Sequence, residues 1–334
     1  MGAAGQATEL GLSFEDVVRA SERIPVLARK TPVNTSRLFD QAAGIATFFK
    51  CENLQRGGSF KIRGATNFIA SLPAEQRRQG IVAFSSGNHA QAVAIATAHF
   101  EIPATIIMPT DAPKAKVEST RSYGPRIVLY DRQRESREEI GRSIARETGA
   151  VVLPPYDHPW IMAGQGTAAL ELLRDFPDLG ALAVPVGGGG LLSGTLAVAK
   201  SLRPEMKVFG VEPELANDWQ LSLARGERVE IPPPPTIADG LRTPVPGTFT
   251  FPVVQALVDR VLTVSEEEIK RTMRFLLTRT KMLVEPSGAV AAAAVLHGKL
   301  PEDVRSAGVI LSGGNVDLPL LAEICAEGAG HGRD

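Results

Sequence analysis

From residue 80 onward the chain alternates short apolar runs with stretches of helical period, and this rhythm restricts the fold more than any other feature. Runs at 81–84, 104–108, 126–130 and 151–153 read as strands, and helical patterns fill 90–100, 113–123 and 136–148 between them. Strands joined through helices lie parallel, with right-handed crossovers. A second series follows the Pro154-Pro155 break. It comprises helix 166–176, strand 182–186, helix 191–202, strand 208–211, strand 261–264, helices 266–280 and 289–297, and strand 309–311. Ahead of both series, Ser13-Phe14-Glu15-Asp16 reads as a capping box opening a helix toward Arg23, and 46–51 reads as a buried strand. An α/β protein of two blocks is expected, with the tail beyond Cys325 frayed.

Charge and cysteine content narrow the function. A formal net charge of −1 with no long Lys/Arg block leaves no footprint for nucleic acid or an anionic membrane, so a small-molecule partner is expected. Cys51 and Cys325 are the only cysteines, too few for a disulfide framework or a clustered zinc site, which suits a reducing compartment. The first residues show neither a basic segment nor an apolar one, and apolar runs such as 181–186 are far shorter than the roughly 20 residues that span a bilayer. A cytoplasmic location is the expectation.

The candidate chemistry collects at strand ends. Gly187, Gly188, Gly189, Gly190 and Leu191 follow an apolar strand and open a helix. Glycines let the backbone curl and present N–H groups, and the helix start adds its positive dipole, so a phosphate is the expected occupant. A close-packed turn is the alternative reading. Ser85-Ser86-Gly87-Asn88-His89 also joins a strand to a helix, as a carboxylate cradle or a Ser/Asn-rich cap, and Ser312-Gly313-Gly314-Asn315 ends a third strand. Ligands of open α/β sheets gather beyond the carboxyl ends of the strands, so these loops converge on one crevice. Lys61 lies just past the flexible Gly57-Gly58-Ser59-Phe60 loop at a helix start. There the helix dipole favours a neutral, nucleophilic amine; otherwise Lys61 is a solvated surface lysine. A phosphate cradle, a carboxylate cradle and a nucleophilic lysine together describe an amino acid bound to pyridoxal 5′-phosphate.

Six motifs in order, GGSFKIRG, SSGNHAQA, AGQGT, PVGGGGLLSG, EPSGA and LSGGNVD, span nearly the whole chain, about residues 23–320. Their pattern resembles the serine/threonine dehydratases and serine racemases, within the fold-type II, tryptophan-synthase-β-like enzymes that use pyridoxal phosphate. The resemblance implies two open twisted α/β sheets with the cofactor between a large domain (1–79 and 158–334) and a small one (80–157). It implies that Lys61 carries the cofactor as a Schiff base and that Phe60 lines the ring pocket. Gly187, Gly188, Gly189, Gly190 and Leu191 would bind the phosphate, Asn88 the phenolic oxygen and Ser312 the pyridine nitrogen, with Gly240 beside the ring.

The same resemblance gives Ser85, Ser86, Asn88 and His89 to the loop that receives the substrate. It makes Ser86 the second acid/base of a racemase, if it is not simply a helix cap. Arg137 would approach the substrate side chain, or else pair with a neighbouring glutamate. Glu212, the Ala216 carbonyl and Asp218 would hold Mg²⁺ or Ca²⁺, the alternative being solvated carboxylates at a helix start. Gly57 departs from the threonine common in this motif, and the short run beyond Ser312 leads us to expect no regulatory domain and no inhibition by isoleucine through one. The expected protein is a homodimer that dehydrates and deaminates L-threonine or L-serine to 2-oxobutanoate or pyruvate plus ammonia. The alternatives are a serine or aspartate-type racemase and a 3-hydroxyaspartate dehydratase.

Overall fold

The computed structural model describes residues 11–112 and 114–329. Its strands form two sheets. The larger has six strands in the order β1 (Val33–Thr35), β2 (Ala46–Cys51), β10 (Ser306–Leu311), β7 (Ala181–Pro185), β8 (Lys207–Pro213) and β9 (Arg260–Val264). Only β1 is antiparallel to its neighbour. The smaller, all parallel, has four strands in the order β5 (Arg126–Tyr130), β4 (Ala104–Pro109), β3 (Ile81–Phe84) and β6 (Val151–Val152).

Side-chain alternation explains why both faces of the large sheet are covered. Leu182 and Val184 of β7 point into one core, shared with Val208 and Ile310. Ala181 and Ala183 point into the other, shared with Phe209, Val211, Val309 and Leu311. A third core joins the small sheet to the Lys61–Ser71 helix: Ile62, Phe68 and Ile69 pack with Ile81, Ala83, Val93 and Ile106. That helix also contacts the Pro159–Asp175 helix closely, so it is shared between the blocks.

Several elements depart from the sequence reading. The helix expected over 166–176 begins at Pro159, where proline occupies the first turn and the His158 ring accepts the Trp160 N–H at 3.1 Å. Gly164 and Gly166 weaken its sequence signal, yet they lie inside it because neighbouring backbones come too close for a Cβ. A Cβ on Gly164 would stand 2.7 Å from Arg63 O, and one on Gly166 would stand 2.6 Å from Gly194 O. The helix expected over 266–280 is α-helical over Glu266–Phe275 and continues as a π turn over Leu276–Thr280.

The tail expected to fray beyond Cys325 is helical over Leu318–Ala329. Fully buried Ile324 and a Lys270–Glu327 ion pair at 2.9 Å hold it; residues 330–334 lie outside the described range. Among the described residues, no helix is long and apolar enough to cross a membrane.

Gly194 marks the tightest crossing, since a Cβ there would stand 2.2 Å from Met162 O and 2.5 Å from Gly166 N. Both neighbours are backbone and cannot yield cheaply. Gly194→Ala is therefore expected to destabilise the fold by about 1–3 kcal/mol. The measurement is the denaturant midpoint, and an unchanged midpoint would contradict this packing.

Candidate active site

The site follows from strand pairing. β2 and β10 run parallel side by side, so the chain leaving each emerges at the same sheet edge. There the two loops are stitched together: Phe60 N donates to Ser312 O at 3.1 Å and Gly314 N to Gly58 O at 2.9 Å. Asn315 Nδ2 donates to Gly57 O at 2.8 Å. Gly57 has φ +73°, a left-handed conformation in which a β-branched threonine would be strained, which accounts for glycine here. The stitched loop delivers Lys61 as the first residue of its helix, at the wall of a cavity of about 650 Å³.

Lys61 Nζ donates to Pro155 O at 2.8 Å and lies 5.2 Å from the centre of the Phe60 ring. Burial disfavours its ammonium form and brings its pKa down to about 8, against the opposing pull of Glu285. Burial also pushes the Glu285 carboxyl up to about 8, with Asp239 adding repulsion and the Asn88 hydrogen bond acting the other way. Asn88 Nδ2 donates to Glu285 Oε1 at 2.6 Å, and its Oδ1 accepts from Asn315 at 2.8 Å. Glu285 stands in the EPSGA motif, but nothing local singles it out. Its role as the partner of Asn88 exists only in three dimensions.

The other expected residues meet at the same cavity. Ser85, Ser86, Asn88 and His89 follow β3 and line it. Ser85 Oγ accepts the Gly87 N–H at 3.2 Å. The His89 ring is tied to Leu153 O at 3.2 Å, and burial pushes its pKa down to about 3, so it is neutral at ordinary pH. Arg137 opens the Arg137–Thr148 helix and lines the cavity with its side chain 47% exposed. Its Nε pairs with Glu138 at 2.8 Å while the guanidinium lies 5.5 Å from the Phe84 ring centre.

Gly187, Gly188, Gly189, Gly190 and Leu191 form a buried wall opening the Gly190–Leu202 helix, whose first turn has N–H groups without helical acceptors. Gly240 N donates to Ser287 Oγ at 2.9 Å, and Ser312 Oγ lies 3.5 Å from Ser287 O. Tyr156, not anticipated from sequence, covers Gly188 so closely that a Cβ there would stand 2.3 Å from its ring.

Glu212, Ala216 and Asp218 lie apart from the cavity lining. All three are buried; Glu212 accepts the N–H groups of Trp219 at 3.2 Å and Gln220 at 2.9 Å. Burial raises both carboxyls, Asp218 to about 8, and the Asp218 charge raises Glu212 further. Asp218 Oδ2 is buried with no hydrogen-bond partner among the described residues. An orphaned oxygen beside a second buried carboxylate fits a hard cation, although no cluster of three or more His, Cys, Asp or Glu side chains occurs among the described residues.

Comparison with known proteins identifies the family. The profile of the family described as pyridoxal-phosphate dependent enzyme matches residues 24–313. The chain is 49% identical over 312 residues to L-threo-3-hydroxyaspartate ammonia-lyase of Pseudomonas sp, covering 93% of this chain and 98% of that one. It is 46% identical over 315 residues to serine racemase of Schizosaccharomyces pombe, covering 94% and 98%. The structure of maize serine racemase superposes with a TM-score of 0.90 at 41% identity, covering 96% of this chain and 98% of that one. A glycine-lined helix start for a phosphate and a buried lysine of lowered pKa fit the cofactor that the family is described by. The chain therefore belongs to the pyridoxal-phosphate dependent enzymes and has their fold-type II architecture.

Proposed function

We propose that the protein is an ammonia-lyase for a β-hydroxy amino acid bearing a second carboxylate, L-threo-3-hydroxyaspartate, with L-serine and L-threonine as poorer substrates. The observation that carries this reading is Arg137, a cation on the wall of the cavity that also holds Lys61 and the 85–89 loop. Glu138 engages its Nε, and the remaining N–H groups of the guanidinium suit a carboxylate. The similarity to L-threo-3-hydroxyaspartate ammonia-lyase supports the same reading.

Bound pyridoxal phosphate supplies an electron-poor ring that accepts the electron pair left when Cα loses its proton. The amides of 187–191 would hold its phosphate, Phe60 and Gly240 would line the ring pocket, and Asn88 would serve the phenolic oxygen. Ser312 would offer the ring nitrogen a neutral hydroxyl rather than a carboxylate, a weaker partner for positive charge there. Ser85, Asn88 and the helix start beyond them receive the α-carboxylate, while neutral His89 ties that loop to Leu153. Lys61 would anchor the cofactor, and its amine, of lowered pKa, would serve as the base for the Cα proton. Loss of water and hydrolysis of the C–N bond give a 2-oxo acid plus ammonia. Glu212, the Ala216 carbonyl and Asp218 would hold Mg²⁺ or Ca²⁺.

Racemisation is the second reading, because Ser86 lines the same cavity and the chain is similar to a serine racemase. It requires Ser86 to return a proton to Cα.

Arg137→Met is expected to lower kcat/KM for L-threo-3-hydroxyaspartate by about 10-fold or more, the worth of a charge-assisted hydrogen bond, and to leave L-serine elimination within about 3-fold. The check is keto-acid formation with chiral analysis of the remaining amino acid. D-serine accumulating faster than pyruvate would contradict the lyase assignment. Lys61 also sets a pH dependence. Its ammonium form cannot attack an aldehyde, so uptake of pyridoxal phosphate by cofactor-stripped protein should rise with pH and level off above about 8. Continued acceleration toward about pH 10 would show an unperturbed lysine.

A further inference from the structure

Four consecutive glycines can curl around a phosphate, yet they also carry the largest backbone freedom to be lost. Something must fix the direction of each peptide. In a trans peptide the C=O of one residue and the N–H of the next point in opposite directions, so holding the carbonyl aims the amide. Two carbonyls of this loop are held from behind. The Trp219 indole Nε1 donates to Gly187 O, and Thr250 Oγ1 donates to Gly188 O at 2.7 Å. Both side chains come from completely buried residues outside the cavity lining, and they close the loop's outer side. Gly189, at φ +94°, packs against the same pair: a Cβ there would stand 2.5 Å from Trp219 Cζ2 and 2.8 Å from Thr250 Cβ.

Each of the two is itself anchored. Trp219 N donates to Glu212 Oε2 at 3.2 Å, and the Thr250 N–H is one of three that the Asp157 carboxylate accepts, with those of Thr248 and Phe249. We propose that Trp219 and Thr250 are positioning residues for the cofactor phosphate, Trp219 aiming the Gly188 amide and Thr250 the Gly189 amide into the cavity. This rests on the phosphate lying at residues 187–191.

The test compares pyridoxal phosphate with pyridoxal, which lacks the phosphate, by absorbance titration of cofactor-stripped protein. Trp219→Phe keeps an aromatic ring and removes the N–H; Thr250→Val keeps the shape and removes the hydroxyl. Each is expected to weaken pyridoxal phosphate by about 3- to 10-fold, the span of one net hydrogen bond, and to leave pyridoxal within about 2-fold. A merely structural role would weaken both ligands alike, and that result, or no change in either, would overturn the assignment. If Trp219→Phe does not fold, Thr250→Val alone decides. Gly189→Ala separates the positioning role from the phosphate site itself. A selective loss there with none in the other variants overturns only the positioning role, whereas no selective loss in any variant also removes the phosphate from this loop.

Discussion

A single buried guanidinium joins the parts that make the site. Arg63 is completely buried two residues after Lys61, and its N–H groups reach Glu52 at 2.7 and 2.8 Å and Glu171 at 2.7 and 2.8 Å. Thr167 Oγ1 takes the fifth N–H at 3.1 Å, and Arg29 O, 3.2 Å from Nη2, shares one of those already given to the carboxylates. Lys50 completes the set by donating to Glu171 at 2.6 Å, so two cations face two carboxylates. Burial alone would raise the pKa of Glu52, but the Arg63 charge and hydrogen bonds hold it below the usual value. Removing one member would leave a buried charge unpaired, at a cost of about 3–5 kcal/mol. The network ties the Lys61–Ser71 helix to β2, to the turn after it and to the Pro159–Asp175 helix. Where that helix starts, and therefore where Lys61 stands, is set by these bonds together with the stitching of the 57–60 loop to the end of β10.

Much of this architecture is legible in the residues because local rules and tertiary demands agree. The strands over 81–84 and 126–130 match the sequence reading end to end, since short apolar runs bounded by turn residues have few other uses. The capping box of Ser13 and Asp16 forms as read, both hydrogen bonds present. The three Gly/Ser/Asn loops share one cavity because each follows the carboxyl end of a parallel strand.

What is not legible depends on contacts distant in sequence. The helix expected to begin at Gly166 runs back to Pro159, and both Gly164 and Gly166 fit inside it with the backbones of Arg63 and Gly194 where a Cβ would stand. Trp219 and Thr250 lie 32 and 62 residues from the carbonyls they hold, with nothing local to mark them. Sequence offers Arg137 two roles, a substrate contact or a partner of its neighbouring glutamate, and it does pair with Glu138 while lining the cavity. Spacing alone cannot tell a side chain with two faces from one with a single role.

The chain thus brings a lysine of lowered pKa, a glycine-lined helix start and a Ser/Asn loop to one cavity, and the fold supplies the rigidity that a nucleophile needs. The most direct test is to reduce the cofactor-loaded protein with borohydride, digest it, and locate the pyridoxyl group by mass spectrometry. The label is predicted on Lys61 alone. Its appearance on another lysine, such as Lys116 at the same cavity, would contradict the central role given to Lys61.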